Sequence, residues 1–354
     1  MNPREHGGPD ALGAPRWDFS TCSNALGPCP LALQALDAAD PSRYPDPAYT
    51  RLRAALAAWH GVDAQRVVIG ASASELIGRL SAALFQTAHA MGRPAPAVFV
   101  PNPAYGDYAH AARAWGLRLA STPDAADLVW ACEPSSPLGQ AHTPWPADLS
   151  RAHVVLDGAY APLRLSGTPS LDDSGLNRVW QLVSPNKALG LTGVRAAYLI
   201  APSADADCAG GQKSLQDRSA HAATAARVAA LLDALHALAP SWPLGAHGVA
   251  LLHAWVSPAV HAWLEQAKPV LRAWKARQTA LLHEAAWQVT PSDAHFFCAR
   301  PPKALDLADL RTRFGIKLRG TASMGLPGAY RLGVLAPEAQ DALIAALRAQ
   351  GAAS

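Results

Sequence analysis

The sequence predicts an α/β protein with a mostly parallel sheet in a large domain, followed by a small α+β domain. Three observations lead there. Short apolar runs at 67–69, 97–100, 128–132, 153–156 and 179–183 are separated by helical or turn-rich segments, the alternation that builds parallel sheets. The gap of about 20 residues between the run that delivers Asp157 and the next one suits a crossover connection. A long helical pattern from Gln212 to about His283, broken near Pro240 to Gly248, leads into a region of short strands and helices from about Ala285. The expected division is an N-terminal arm over 1–43, a large domain over 44–248, and an inter-domain helix with the small domain over 249–354.

Composition bounds the function. Of 354 residues, half are hydrophobic and 16% charged, the balance of a globular enzyme rather than a disordered chain. A net charge of +3, with Lys and Arg scattered, provides no basic stripe for nucleic acid. The five cysteines (Cys22, Cys29, Cys132, Cys208, Cys298) are widely spaced and form no CxxC pair, which fits a reducing cytoplasmic setting and gives no metal-ligand spacing. With neither a signal-peptide core nor a membrane-length apolar run, the expectation is a soluble cytoplasmic protein without metal.

Residues 1–30 are rich in Gly and Pro, hold one extended piece from Trp17 to Ser20, and read as an arm crossing a surface. Arg43 to Tyr49, RYPDPAY, is a proline-punctuated turn feeding a helix from Thr50 to His60, whose Leu52, Ala55, Leu56 and Trp59 recur at helical spacing. Val67 to Ile69 reads as a strand, Gly70 to Ser74 as a turn of small residues, and Glu75 onward as an amphipathic helix. Small residues at such a helix start let backbone N–H groups approach a phosphate. Ala97 to Val100 is a strand ending in PNPAYGDYAHAARAWG, and Leu128 to Cys132 a strand running into EPSSPLGQ. His153 to Leu156 delivers Asp157, Gly158, Ala159 and Tyr160. The run Val179, Trp180, Leu182, Val183 leads to SPNKALGLTGVR, Ser184 to Arg195, which sets Lys187 among small and hydroxylated residues. A lysine at the end of a buried strand is costly unless its amine is neutral or covalently engaged, which points to a Schiff-base role. Ala196 to Ala201 is a further strand. Strands at Trp287 to Val289 and His295 to Ala299, a helix from Leu305 to Phe314, the segment LRGTASMGLPGAYRLGV and a helix from Glu338 to Gln350 complete the chain.

These motifs, in this order from His6 to the last helix, resemble the fold-type I pyridoxal phosphate (PLP) enzymes, with the aspartate aminotransferase-like fold. The resemblance is nearest to threonine-phosphate decarboxylases of the cobalamin pathway (HGG at His6 to Gly8, then DFSTCSNALG) and to the group they form with histidinol-phosphate aminotransferases (RYPDPAY, common to both). It implies that Lys187 carries the cofactor, that Asp157 pairs with the pyridinium nitrogen, and that Tyr160 donates to the phenolic oxygen. Tyr105 would stack on the ring, with Ser136 beside the phenolic oxygen. Ala73, Ser74, Ser184, Arg195 and the Tyr44 of a second copy would hold the phosphate. His6, Asn24, Arg319 and Arg331 would bind the substrate. The sequence departs from the pattern at Pro9 and Cys22, each in place of Asn, at Ser136 in place of Asn, and at Gly158 in place of Glu.

The implied protein is a homodimer with shared active sites, acting on a small phosphorylated amino-acid substrate. The HGG start and RYPDPAY lean toward L-threonine O-3-phosphate decarboxylation to (R)-1-amino-2-propanol O-2-phosphate. The alternative is an aminotransferase of the histidinol-phosphate type, and a third reading is a non-catalytic relative of the fold. Which Cα bond breaks depends on how an arginine holds the substrate carboxylate, which residue order does not specify.

Overall fold

The computed structural model describes residues 6–204 and 215–351. Cys208 and the expected helix start at Gln212 lie outside the described residues. In chain order the first elements are β1 (Trp17–Asp18), α1 (Pro30–Asp37), α2 (Thr50–His60), β2 (Val67–Gly70), α3 (Ala73–Ala90), β3 (Ala97–Phe99), α4 (Gly106–Ala114), β4 (Arg118–Ala120), β5 (Leu128–Cys132) and β6 (His153–Asp157). There follow α5 (Asp173–Leu176), β7 (Trp180–Val183), β8 (Ala197–Ile200), α6 (Leu215–Ala237), α7 (Ala246–Trp255) and α8 (Pro258–Glu284). The last are β9 (Gln288–Val289), β10 (Phe296–Arg300), α9 (Leu307–Thr312), β11 (Ile316–Lys317), β12 (Arg319–Gly320), β13 (Tyr330–Gly333) and α10 (Pro337–Ala349).

Seven strands form the large sheet in the order β2-β8-β7-β6-β5-β3-β4, and only β8 runs against its neighbours. Helices cover it, so its strands are apolar on both faces rather than alternating. The five residues of β5, LVWAC, are all buried. Leu128 and Trp130 pack with Leu76, Ile77 and Leu80 of α3 on one face, whereas Val129 packs with Val154 and Val179 on the other. A four-stranded antiparallel sheet, β12-β13-β10-β9, forms the C-terminal part.

The arm joins that second part. β1 pairs parallel with β11, the Phe19 N–H donates to the Lys317 carbonyl at 3.1 Å, and the Gly333 N–H donates to the Phe19 carbonyl at 2.8 Å. Two elements differ from expectation. α1 lies where only an arm was expected; Pro30 opens it at a position that needs no N–H donor, and its buried residues are Ala32 and Leu36. The long helical pattern is broken twice, the second time at Val256 and Ser257, where Pro258 begins α8.

Candidate active site

Ligands in open α/β sheets bind beyond the carboxyl ends of the strands. Here those ends deliver the turn after β2, the loop carrying Tyr105 after β3, Ser136 after β5, Asp157 at the end of β6 and Ser184 to Lys187 after β7. An inner cavity of about 90 Å³ is lined by Ala73, Ser74, Tyr105, Ser136, Asp157, Tyr160, Ser184, Lys187 and Arg195. It shares Ser74, Tyr105, Tyr160, Lys187 and Arg195 with an outer cavity of about 720 Å³ that also reaches His6, Asn24, Arg319 and Arg331. Tyr44 lines neither; it is 78% exposed and stacks on Trp242 with centroids 4.4 Å apart.

Asp157 is buried. Tyr108 donates its hydroxyl to Oδ2 at 2.6 Å and the Ala159 N–H donates to Oδ1 at 2.9 Å. Burial pushes the carboxyl above the ordinary carboxylate range, against the pull of those two donors and the Lys187 charge. Each carboxylate oxygen has a second lone pair, so a further N–H donor can be accepted. Tyr108 itself is packed flat on Trp130, centroids 4.6 Å apart, which fixes its hydroxyl.

The lysine loop is tied down by the arm. The Asn24 N–H donates to the Lys187 carbonyl at 2.9 Å, Asn24 Nδ2 donates to the Ala188 carbonyl at 3.0 Å, and Asn24 Oδ1 accepts from the Leu26 N–H. Asn24 thus spends its side chain on the backbone near the lysine. Asn186 Oδ1 accepts from both Ser184 Oγ and the Lys187 N–H at 3.0 Å, which closes the turn that presents Lys187. The amine lies 5.0 Å from the centroid of the Tyr160 ring.

At the start of α3, Ser72 caps the helix by accepting from the Glu75 N–H, and Glu75 Oε2 accepts from the Ala71 N–H. Glu75 is held in turn by Arg79 through bonds of 2.7 Å. The N–H groups of Ala73 and Ser74 belong to the first turn, where no intrahelical acceptor exists, and both residues line the inner cavity. Ser74 Oγ lies 3.2 Å from the Tyr105 hydroxyl, which also donates to Asp107.

Arg331 is 1% exposed and stands across from Arg319 on paired strands. Its Nη1 donates to Ser136 Oγ at 3.1 Å and to the Tyr160 hydroxyl at 3.3 Å, and its Nη2 to the Ser20 carbonyl at 3.3 Å. Burial and the nearby Arg331 charge push Arg319 below the ordinary guanidinium range. Ser136, in place of the longer Asn, therefore meets the guanidinium. Sequence reasoning gave no role to Tyr108, Asn186 or His295, whose Nε2 lies 2.8 Å from the Cys22 carbonyl. For Tyr108 there was a signal, its place three residues after Tyr105 in the segment PNPAYGDYAHAARAWG.

The profile of the family described as aminotransferase class I and II matches residues 20–347. This chain belongs to the class I and II aminotransferases. A histidinol-phosphate aminotransferase of Jannaschia sp. (strain CCS1) is 26% identical over 95% of this chain and 91% of that relative. One of Erythrobacter litoralis (strain HTCC2594) is 33% identical over 212 residues, 51% of this chain, which spans only 54% of that relative's length. Among solved structures, histidinol-phosphate aminotransferase from Sinorhizobium meliloti, in complex with pyridoxal-5'-phosphate, superposes with TM-score 0.69 at 20% identity, covering 93% of this chain and 90% of that one. L-threonine-O-3-phosphate decarboxylase from Porphyromonas gingivalis gives 0.69 at 17% identity, covering 94% and 98%. Likeness at such identities shows the shared fold.

The family is PLP-dependent, and PLP is this chain's cofactor. The donor set fits it. A buried carboxylate with spare acceptor capacity, a lysine, first-turn N–H groups and an aromatic ring converge on one cavity. Among the described residues no helix is long and apolar enough to cross a membrane.

Proposed function

We propose that this chain is an aminotransferase acting on a small phosphorylated amine of the histidinol-phosphate type. The observation that carries this reading is Arg331, a buried cation fixed by three hydrogen bonds on the wall made by Ser136 and Tyr160. A phosphorylated amino alcohol has no carboxylate to lose, and the carboxylate of its amino-acid partner, gripped by an immobile guanidinium, is kept from turning, which leaves the Cα–H bond as the one to break. The relative from Jannaschia sp., matched over 91% of its length, carries that name and supports the same reading.

PLP supplies an electron sink for the pair released at the substrate Cα. Lys187 Nζ would hold the cofactor until the substrate amine takes its place, and would then be free to take the Cα proton and return it. Asp157 holds a negative charge against the ring nitrogen, and Tyr108 and the Ala159 N–H stabilise that charge. Ala73, Ser74, Ser184 and Arg195 hold the phosphate, with Tyr44 of a second copy. Tyr105 shields one ring face from water, and Arg319 and His6 attract the substrate phosphate. In this reading residues 44–248 form the cofactor domain, 249–354 the inter-domain helix and small domain, and 1–43 the arm.

A specific observation favours a second reading, decarboxylation of L-threonine O-3-phosphate. The HGG segment lies on the outer cavity, where His6, Gly7 and Gly8 form part of its wall. Purified enzyme with PLP should transfer the amino group of L-histidinol phosphate to 2-oxoglutarate and release no CO2 from L-threonine O-3-phosphate. Release of CO2 from L-threonine O-3-phosphate, with no transfer to an oxo acid, would reverse the ranking.

A further inference from the structure

Lys317 has no part in the scheme above. It lies in β11 with its side chain 18% exposed, and its Nζ reaches two points of the N-terminal segment. It donates to the Gly8 carbonyl at 2.6 Å and pairs with Asp10 Oδ2 at 3.1 Å. Asp10 is gripped again by Arg311 of α9, through Nε to Oδ2 at 3.1 Å and Nη2 to Oδ1 at 2.9 Å. The same Nη2 donates to the Gly13 carbonyl at 2.8 Å. Ahead of this knot of charges, His6, Gly7, Gly8 and Pro9 make one wall of the cavity that Lys187 lines. That wall sits close against residue 20. The Gly8 N–H donates to Ser20 Oγ at 2.9 Å, and a Cβ on Gly7 would stand 2.6 Å from the Ser20 carbonyl carbon, so any side chain at position 7 forces the segment away.

We propose that Lys317, with Asp10 and Arg311, is a positioning clasp that holds residues 6–10 in place as the outer wall of the substrate cavity. The proposal rests on the reading of that cavity as the site for an anionic amine. None of the three clasp residues lines the cavity, so they act through Gly8 and its neighbours rather than on the substrate. The physical effect is exclusion of water. With the wall in place, Arg319 and Arg331 face a bound anion in a low-dielectric setting; with the wall loose, solvent screens them. The clasp is itself partly exposed, Asp10 at 32% and Arg311 at 13%, so added salt weakens it.

Lys317→Met keeps the aliphatic stem and removes both polar contacts, and Asp10→Asn removes the charge and one of the two acceptor oxygens. Two readouts are taken on the PLP-loaded enzyme. Hydrogen–deuterium exchange over residues 6–20 requires no turnover; the wild-type segment should be protected and the variants should exchange about tenfold faster. The KM for the amine substrate should rise about tenfold in both variants, with kcat and the Kd for PLP within about twofold of wild type, and Lys317→Arg should recover most of the loss. Free exchange of the segment in the wild type overturns the clasp whatever reaction the enzyme performs. Faster exchange with KM unmoved in both variants overturns its positioning role, as does a parallel fall in PLP affinity. If neither candidate substrate is turned over, the functional reading fails instead, and exchange still decides the clasp.

Discussion

Tyr108→Phe isolates the contact on which the cofactor end of the site depends. The hydroxyl donates to Asp157 Oδ2 at 2.6 Å between two buried side chains, and a hydrogen bond to an ionised acceptor contributes about 1.5–3 kcal/mol. Phenylalanine keeps the ring on Trp130, so the substitution removes that bond and little else. Burial already drives the Asp157 carboxyl upward, and losing the hydroxyl drives it further. A protonated carboxyl cannot pair with a cationic ring nitrogen. The Kd for PLP should therefore rise about 10- to 100-fold at neutral pH, worsen as pH falls and recover as pH rises. Fluorescence titration of PLP into apoprotein across the neutral range measures this, with thermal melts confirming that the variant is folded. A Kd and pH profile indistinguishable from wild type would refute the reasoning.

Three further predictions concern stability. Glu133→Gln leaves Arg164, paired with it at 2.7 Å and only 12% exposed, without its counter-charge; denaturant titration should show a loss of about 3 kcal/mol, and a loss below about 1 kcal/mol would count against the pair. Gly190 has φ +68° and a Cβ there would lie 2.8 Å from the Gly27 carbonyl carbon, so Gly190→Ala should cost roughly 2 kcal/mol and loosen the lysine loop from the arm, read as lower Tm together with weaker PLP binding. Burial holds His153 near about 3 and His295 near about 4, below the ordinary 6.5. Both stay neutral in the fold while the unfolded chain takes up protons, so stability is full above pH 6.5 and is lost as pH falls toward 4, on the order of 3 kcal/mol for each. A denaturant midpoint that stays flat through that window would contradict this.

Local signals told most of the architecture. The helix Thr50–His60 and the strand Leu128–Cys132 stand where apolar spacing put them, because the first has a one-sided pattern and the second is buried on both faces. α1 escaped notice because its buried residues are a single leucine and an alanine within an alanine-rich turn, too weak a stripe beside so many prolines. The break after Trp255 was hidden because apolar residues continue through it. Within the site, the expected lining residues meet, but their hydrogen-bond partners were not legible. Asn24 binds the Ala188 carbonyl, 164 positions away, and Arg331 meets Ser136, 195 positions away. Such pairings arise from how the arm and the small sheet pack against the large one, which no local pattern encodes.

The most direct measurement is chemical. PLP is added to the purified chain, the preparation is reduced with borohydride, and the modified peptide is located by mass spectrometry. A phosphopyridoxyl group is expected on the Lys187 side chain alone, and none in Lys187→Ala. A label on other lysines, or an unmodified Lys187 after saturation with PLP, would contradict it.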